Sequence, residues 1–232
     1  MGKTKIEWCT HTMNPIKGKC PMACSYCYAR RMYDRFHWNP AIREDVSVYD
    51  MLDSCKAGSK IFVGSTMELF GEWVTPLMRS NMFHVCELYP DLTFIFLTKQ
   101  PQNLPIAFDD NCWVGVSCTN RQMWIDAQRH LSKVQAKVKF YSFEPLLGDV
   151  VGQMETAYFR LALENAGINW VIIGQQTPDK PETTPKLEWI QRIVEACDDG
   201  KIPVFLKNNL EYLIRGVDFS RQLRQQFPEV KS

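Results

Sequence analysis

The chain has 232 residues and carries 27 Lys and Arg against 26 Asp and Glu, a formal net charge of +1. That length suits one domain with a substantial core. The near-neutral balance excludes a protein that holds nucleic acid by overall charge alone, and no apolar run approaches the ~20 residues of a membrane-spanning helix. Met1–Thr10 has no apolar leader, so the nine cysteines point to a reducing cytoplasm with thiols kept for metal rather than to a disulfide framework.

Lys5–His11 reads as a short strand, followed by a turn at Asn14-Pro15 and a bend at Gly18. Cys20, Cys24 and Cys27 then stand at spacing C-x3-C-x2-C, so one loop, residues 18–30, can wrap three thiols around a single inorganic centre. A 4Fe–4S cube is normally held by four thiolates, and three from one loop leave one iron open to a small molecule. The same residues also suit a tetrahedral zinc site completed by Cys9, His11 or His37, or three buried thiols with no metal. Ala29–Phe36 continues with helix-compatible residues until Asn39-Pro40 stops it. Residues 41–59 show only a weak amphipathic pattern. Lys3, Lys5, Lys17 and Lys19 before the loop and Arg30, Arg31 and Arg35 after it make a solvated face or a contact for a phosphate-bearing substrate.

Six short, nearly continuous apolar runs follow, at Ile61–Gly64, Thr93–Leu97, Cys112–Val116, Val138–Phe143, Trp170–Gly174 and Ile202–Leu206. Runs of this kind are strands buried on both faces of a parallel sheet. Helical stretches lie between most of them. Thr75-Pro76 and Thr184-Pro185 each supply a cap followed by Pro, Asn120 caps a third, Tyr158–Ala166 forms a further one, and Gly200 ends the helix opened at Thr184. Strand alternating with helix predicts an α/β fold, a partial (β/α)6-type barrel of parallel strands spanning residues 1–232, with a C-terminal tail from about 208. The full eight-fold barrel typically needs about 250 residues.

Parallel barrels carry their chemistry where strands end. There the chain places Gly64, Ser65, Thr66 and Glu68; Thr98 and Lys99; Ser117, Cys118, Thr119 and Asn120; Glu144; Gln175 and Gln176; and Lys207 and Asn208. Ser, Thr and Asn at such points also cap the next helix, but Lys99, Glu144 and Lys207 are not capping types. Glu144 is a candidate for proton transfer or for accepting hydrogen bonds from a ligand, and Lys99 for neutralising a carboxylate or phosphate. Gly64 lets a ligand approach the backbone closely. Cys118 is either a hydrogen-atom donor or an ordinary buried thiol. Trp8, Tyr28 and Trp73 can stack on bases or simply pack, and Cys9, Cys55, Cys86, Cys112 and Cys197 read as core.

The segment Cys20–Tyr28 resembles the signature of the radical S-adenosylmethionine (SAM) enzymes. The resemblance implies a 4Fe–4S cluster on Cys20, Cys24 and Cys27, SAM on the fourth iron, and an electron from an external flavodoxin- or ferredoxin-like donor that cleaves SAM to a 5′-deoxyadenosyl radical. It further implies that Tyr26 borders the adenine, that Gly64, Ser65 and Thr66 lie near the methionine amino group, and that Ser117, Asn120 and Glu144 line the cofactor or substrate. Across Thr4–Trp8, Asn14-Pro15, Cys27–Ala29, Leu97–Lys99, Val114–Ser117, Glu144–Gly148 and Trp170–Gly174 the chain resembles a family of phage- and prophage-borne proteins of unknown function. Cys24–Tyr28 alone is similar to the spore photoproduct lyase group, which repairs DNA. The expectation is an enzyme acting on a nucleotide or nucleic acid, with no membrane partner. The alternative is a non-catalytic zinc- or cluster-stabilised protein that binds nucleic acid or a phage component.

Overall fold

The computed structural model describes residues 4–215 and 223–229. Its frame is a curled half-barrel of seven parallel strands: β1 (His11–Met13), β4 (Lys60–Val63), β5 (Thr93–Thr98), β6 (Cys112–Ser117), β7 (Val138–Phe143), β8 (Trp170–Ile173) and β9 (Val204–Leu206), hydrogen-bonded in that order. Two short segments, β2 (Ile16–Lys17) and β3 (Arg43–Glu44), pair antiparallel beside it and frame the cysteine loop. The helices are α1 (Tyr28–Phe36), α2 (Pro76–Leu88), α3 (Arg121–Leu131), α4 (Thr156–Asn165), α5 (Leu187–Asp199) and α6 (Glu211–Ile214).

The six apolar runs all become strands, because both sheet faces are covered. Helices α2 to α5 pack on the convex face through residues such as Met82, Trp124, Phe159 and Ile193. The concave face closes on itself: Trp8, Phe62, Ile95, Trp113, Phe140, Trp170, Ile172 and Phe205 form one cluster. Trp170 lies at its centre, fully buried, with the rings of Trp113, Phe140, Phe205 and Phe227 at 5.9, 5.3, 6.1 and 5.4 Å. Truncating a ring so placed costs about 3–5 kcal/mol.

Two expectations are corrected. The first strand is His11–Met13 rather than Lys5–His11, because residues 6–10 turn (the Cys9 N–H bonds to the Ile6 carbonyl at 3.4 Å) so that Trp8 reaches the concave core. Thr184 does not open α5; its hydroxyl donates to the Lys180 carbonyl at 3.0 Å, and the helix begins at Leu187. Gly200 ends α5 as expected, in a right-handed conformation, and Lys201 takes the positive φ of 53°. The other two caps form as expected, with Thr75 and Asn120 accepting from the N–H groups of Met78 and Met123. Residues Val46–Ser54, weakly patterned, form a 3-10 helix. In the C-terminal tail, Asn208–Ile214 form a 3-10 turn and α6, and part of the remainder returns antiparallel beside β9 through a Phe205–Gln225 bridge. Residues 216–222 and 230–232 lie outside the described residues.

Candidate functional site

Side chains alternate across a strand, so the concave phase set by the core can be followed to each strand end. On β5 it runs Ile95, Leu97, Lys99; on β7 Phe140, Ser142, Glu144; on β8 Trp170, Ile172, Gly174; on β9 Phe205, Lys207. The charged residues at the rim are therefore the last members of inward rows whose lower members are apolar, Ser142 apart.

One side of the rim carries the cysteines. Cys20, Cys24 and Cys27 line a single cavity of about 110 Å³ together with Met22, Gly64, Glu68 and Lys99. Cys20 is buried while Cys24 and Cys27 are half-buried, and the Cys27 N–H closes a turn onto the Cys24 carbonyl at 3.0 Å. Burial pushes the Cys20 thiol up, partly offset by the Glu68 N–H, which donates to its sulfur at 3.5 Å. Lys99 Nζ stands 6.0 Å from the Tyr26 ring centroid. Burial, then the neighbouring Cys24 thiol, raises the Tyr26 phenol. Tyr26, Lys99, Gly64 and the three cysteines, distant in sequence, thus meet at one place.

The cavity's frame is polar and closely bonded. The buried Glu68 carboxylate accepts from the Thr98 hydroxyl at 2.6 Å, the Lys99 N–H at 2.7 Å and the Phe70 N–H at 3.1 Å. Asn14 Oδ1 accepts from the Ser65 hydroxyl, the Thr66 hydroxyl and the Thr66 N–H, each at 3.1 Å. Ser65 and Thr66 therefore spend their hydroxyls holding the turn, while the Tyr28 hydroxyl donates to the Ser65 carbonyl at 2.9 Å. Gly64 has φ +79°, and a Cβ there would meet Leu69 at 2.5 Å, so glycine is required for the turn itself.

The other side of the rim, over β7 to β9, carries an ion triad. Lys207 Nζ pairs with Glu144 Oε1 and lies 3.6 Å from Glu7 Oε2, and Glu7 also accepts from the Asn208 N–H at 3.2 Å. Gly174 makes room for it, because a Cβ there would meet Lys207 at 2.9 Å and Glu144 at 3.1 Å. Burial pulls the Lys207 ammonium down, but Glu144 and Glu7 outweigh it and the net shift is upward. Burial of the Tyr28 hydroxyl raises that phenol, Cys27 and Glu144 add to it, and Lys207 opposes it, so Tyr28 is electrostatically linked to both sides.

Other candidates sit elsewhere. Ser117 is buried and donates to the Glu144 carbonyl at 3.2 Å, next to the triad but outside the thiol cavity. Asn120 spends its side-chain oxygen on the α3 cap. Cys118 is out of phase with the rim residues: fully buried, it belongs to the convex core with Trp124 and Ala127, and burial drives its thiol far up. Cys9, His11 and His37 do not line the thiol cavity. Burial also raises the Cys9 thiol, to about 12. Sequence reading missed the roles of Glu68 and Glu7; the signal for Glu68 was its place just beyond a strand, but its partners Thr98 and Lys99 are 30 and 31 residues away. Roomier cavities of about 650 and 740 Å³ lie at the opposite end, around the strand starts and Phe227.

A profile of the family described as protein of unknown function (DUF5131) matches residues 3–225. The chain belongs to this family. A search of curated proteins returns no match. The family's description assigns no activity, so the DUF5131 chain is read functionally from its own rim. Among the described residues, no three His, Cys, Asp or Glu side chains converge as a site for a single metal ion, and no helix is long and apolar enough to cross a membrane.

Proposed function

We propose that the chain is a radical SAM enzyme in which Cys20, Cys24 and Cys27 hold a 4Fe–4S cluster and SAM completes the coordination of the fourth iron. The observation that carries this reading is that the three thiols of the C-x3-C-x2-C loop line one cavity at the strand-end rim of a parallel half-barrel, with Lys99 among them. Three thiolates from one loop leave one iron of a 4Fe–4S cube open, whereas a structural zinc needs a fourth protein ligand, and the candidates Cys9, His11 and His37 do not line the cavity. The Glu68 N–H donates to the Cys20 sulfur, a type of hydrogen bond that tunes cluster potentials. When bound, such a cluster supplies the electron that cleaves the SAM sulfonium and starts radical chemistry.

The chain's own residues orient and shield. Met22, Phe62, Met67 and Leu97 give the cavity an apolar wall against water. Lys99 offers a positive charge to the carboxylate of SAM or to a substrate phosphate, and Tyr26 offers a ring face beside it. Glu68 sets the backbone direction of Lys99, and Asn14 fixes the Ser65-Thr66 turn. Glu144 and Lys207 form a charge pair for hydroxyl or amino groups of a bound nucleotide.

Anaerobic reconstitution with iron and sulfide tests the proposal. The expected result is the broad visible absorption of thiolate-bound iron and 5′-deoxyadenosine after reduction in the presence of SAM. A colourless chain retaining one zinc, or a loaded chain that never yields 5′-deoxyadenosine, overturns it.

A further inference from the structure

Past the cysteine loop, every residue from Asp34 to Ala41 is exposed, and two of them are large aromatics. Phe36 and Trp38 stack on each other with centroids 5.6 Å apart and planes 24° apart, yet are 51% and 44% exposed. The pair is fixed in place. Trp38 abuts buried Tyr33 edge-on at 5.3 Å, and the Tyr33 hydroxyl accepts from the Gly18 N–H at 2.8 Å. The Arg35 guanidinium lies 5.3 Å above the Phe36 ring.

The charge beside this pair is only weakly compensated, since Asp34 and Asp45 act on Arg30 and Arg43 through space without pairing with them. Arg160, Arg192 and Arg224 each pair with a carboxylate. Arg30, Arg31, Arg35 and Arg43 have no such partner among the described residues. Arg30, Arg31 and Arg43 donate instead to neutral carbonyls of Cys20, Thr177, Asn39 and Ala41. Asp34, the acidic residue of α1, is already taken by Lys19. Tyr28, Arg31 and Arg35 share one helical face at i, i+3 and i+7. From Tyr28 to Phe36 the helix rises about 12 Å. The stripe therefore leads from the aromatic pair to Tyr28, whose hydroxyl reaches Ser65 on the cavity wall.

From this surface we infer that α1 and the Trp38–Arg43 segment form a docking platform for single-stranded nucleic acid. Half-exposed aromatic rings joined to a stripe of guanidiniums offer unpaired bases and their phosphates contacts with little sequence preference. A duplex hides its base faces, and an acidic peptide would answer the guanidiniums but leave the two rings unused. The platform stands on the surface alone. Its role in presenting substrate to the cavity rests on the radical SAM reading.

The test uses the full chain and labelled oligothymidine or oligouridine, followed by fluorescence anisotropy. Binding at low salt is expected, clearly weaker for a duplex of the same length. Phe36→Ala with Trp38→Ala should weaken binding about tenfold or more. Arg31→Ala with Arg35→Ala should flatten the dependence of log affinity on log salt by about 0.7 for each phosphate no longer neutralised. Circular dichroism checks that both variants remain folded. Equal binding of duplex, variants that bind as wild type does, or attachment to phosphatidylserine vesicles with none to oligonucleotide each overturns the proposal. Iron loading of the same preparations separates the two readings. A chain that takes up iron but ignores oligonucleotide loses the platform alone; one that binds oligonucleotide but refuses iron keeps it and loses the cluster.

Discussion

Glu68 and Glu144 both stand at the half-barrel rim, yet their charges are met in opposite ways. On the thiol side, Glu68 is answered by two backbone N–H groups and the Thr98 hydroxyl, with no cation bonded to it among the described residues. On the β7–β9 side, Glu144 and Glu7 share one ammonium, that of Lys207. Backbone donors are set by the fold and cannot swing away, so the first arrangement is a rigid bracket beneath the cysteines. The second is made of side chains whose balance changes as soon as one member is neutralised or engaged by a ligand. The rim thus joins a fixed half at the cysteines to an adjustable half over β7 to β9.

The largest expected effect breaks the fixed half outright. Replacing Cys20, Cys24 and Cys27 together by Ala should abolish iron uptake, read as iron per chain after reconstitution, while a Cys118→Ala chain loads iron as wild type does. Next comes Glu68→Ala, which leaves the Thr98 hydroxyl and the Lys99 and Phe70 N–H groups without their acceptor. A loss of about 3 kcal/mol in urea unfolding is expected.

Lys207→Met probes the adjustable half by leaving Glu144 and Glu7 facing each other, and should cost about 2 kcal/mol at neutral pH, since the triad is only partly buried. The Lys207 ammonium is shifted above its usual 10.5, so its contribution is complete below that pH and lost as pH rises through the higher folded value. The stability gap between wild type and Lys207→Met should therefore stay constant from neutral pH to about 10 and close above it. A gap that narrows already between neutral pH and about 9 would refute this account. The smallest effect is that of Asn120→Ala, about 1 kcal/mol from the lost α3 cap. Iron loading should be unchanged, because that side chain is already spent.

Strands β4 to β9 were legible because each is an apolar run between turn signals, and the rim followed from their period. Lys99, Glu144 and Lys207 lie in phase with the inward rows, and Cys118 lies one residue out of phase, which is why its thiol faces the helices. Sequence could not show how distant partners meet. Glu7 joins Lys207 across nearly the whole chain, and Glu68 depends on Thr98 and Lys99. Among the aromatics, Trp8 reads as packing or stacking and fills the core, whereas Phe36, read as part of a helix end, stays half-exposed beside Trp38. Only the fold reveals which rings remain open to solvent.

The returning segment beside β9 has a practical consequence. The Leu206 N–H donates to the Arg224 carbonyl at 2.7 Å, the Gln226 N–H to the Val204 carbonyl at 3.1 Å, and Trp170 Nε1 to the Gln226 carbonyl at 2.8 Å. Those bonds seal the last strand of the sheet, which would otherwise offer its peptide groups to any neighbouring chain. Trimming the polypeptide before Leu223 would strip that seal and leave β9 open to edge-to-edge pairing between copies.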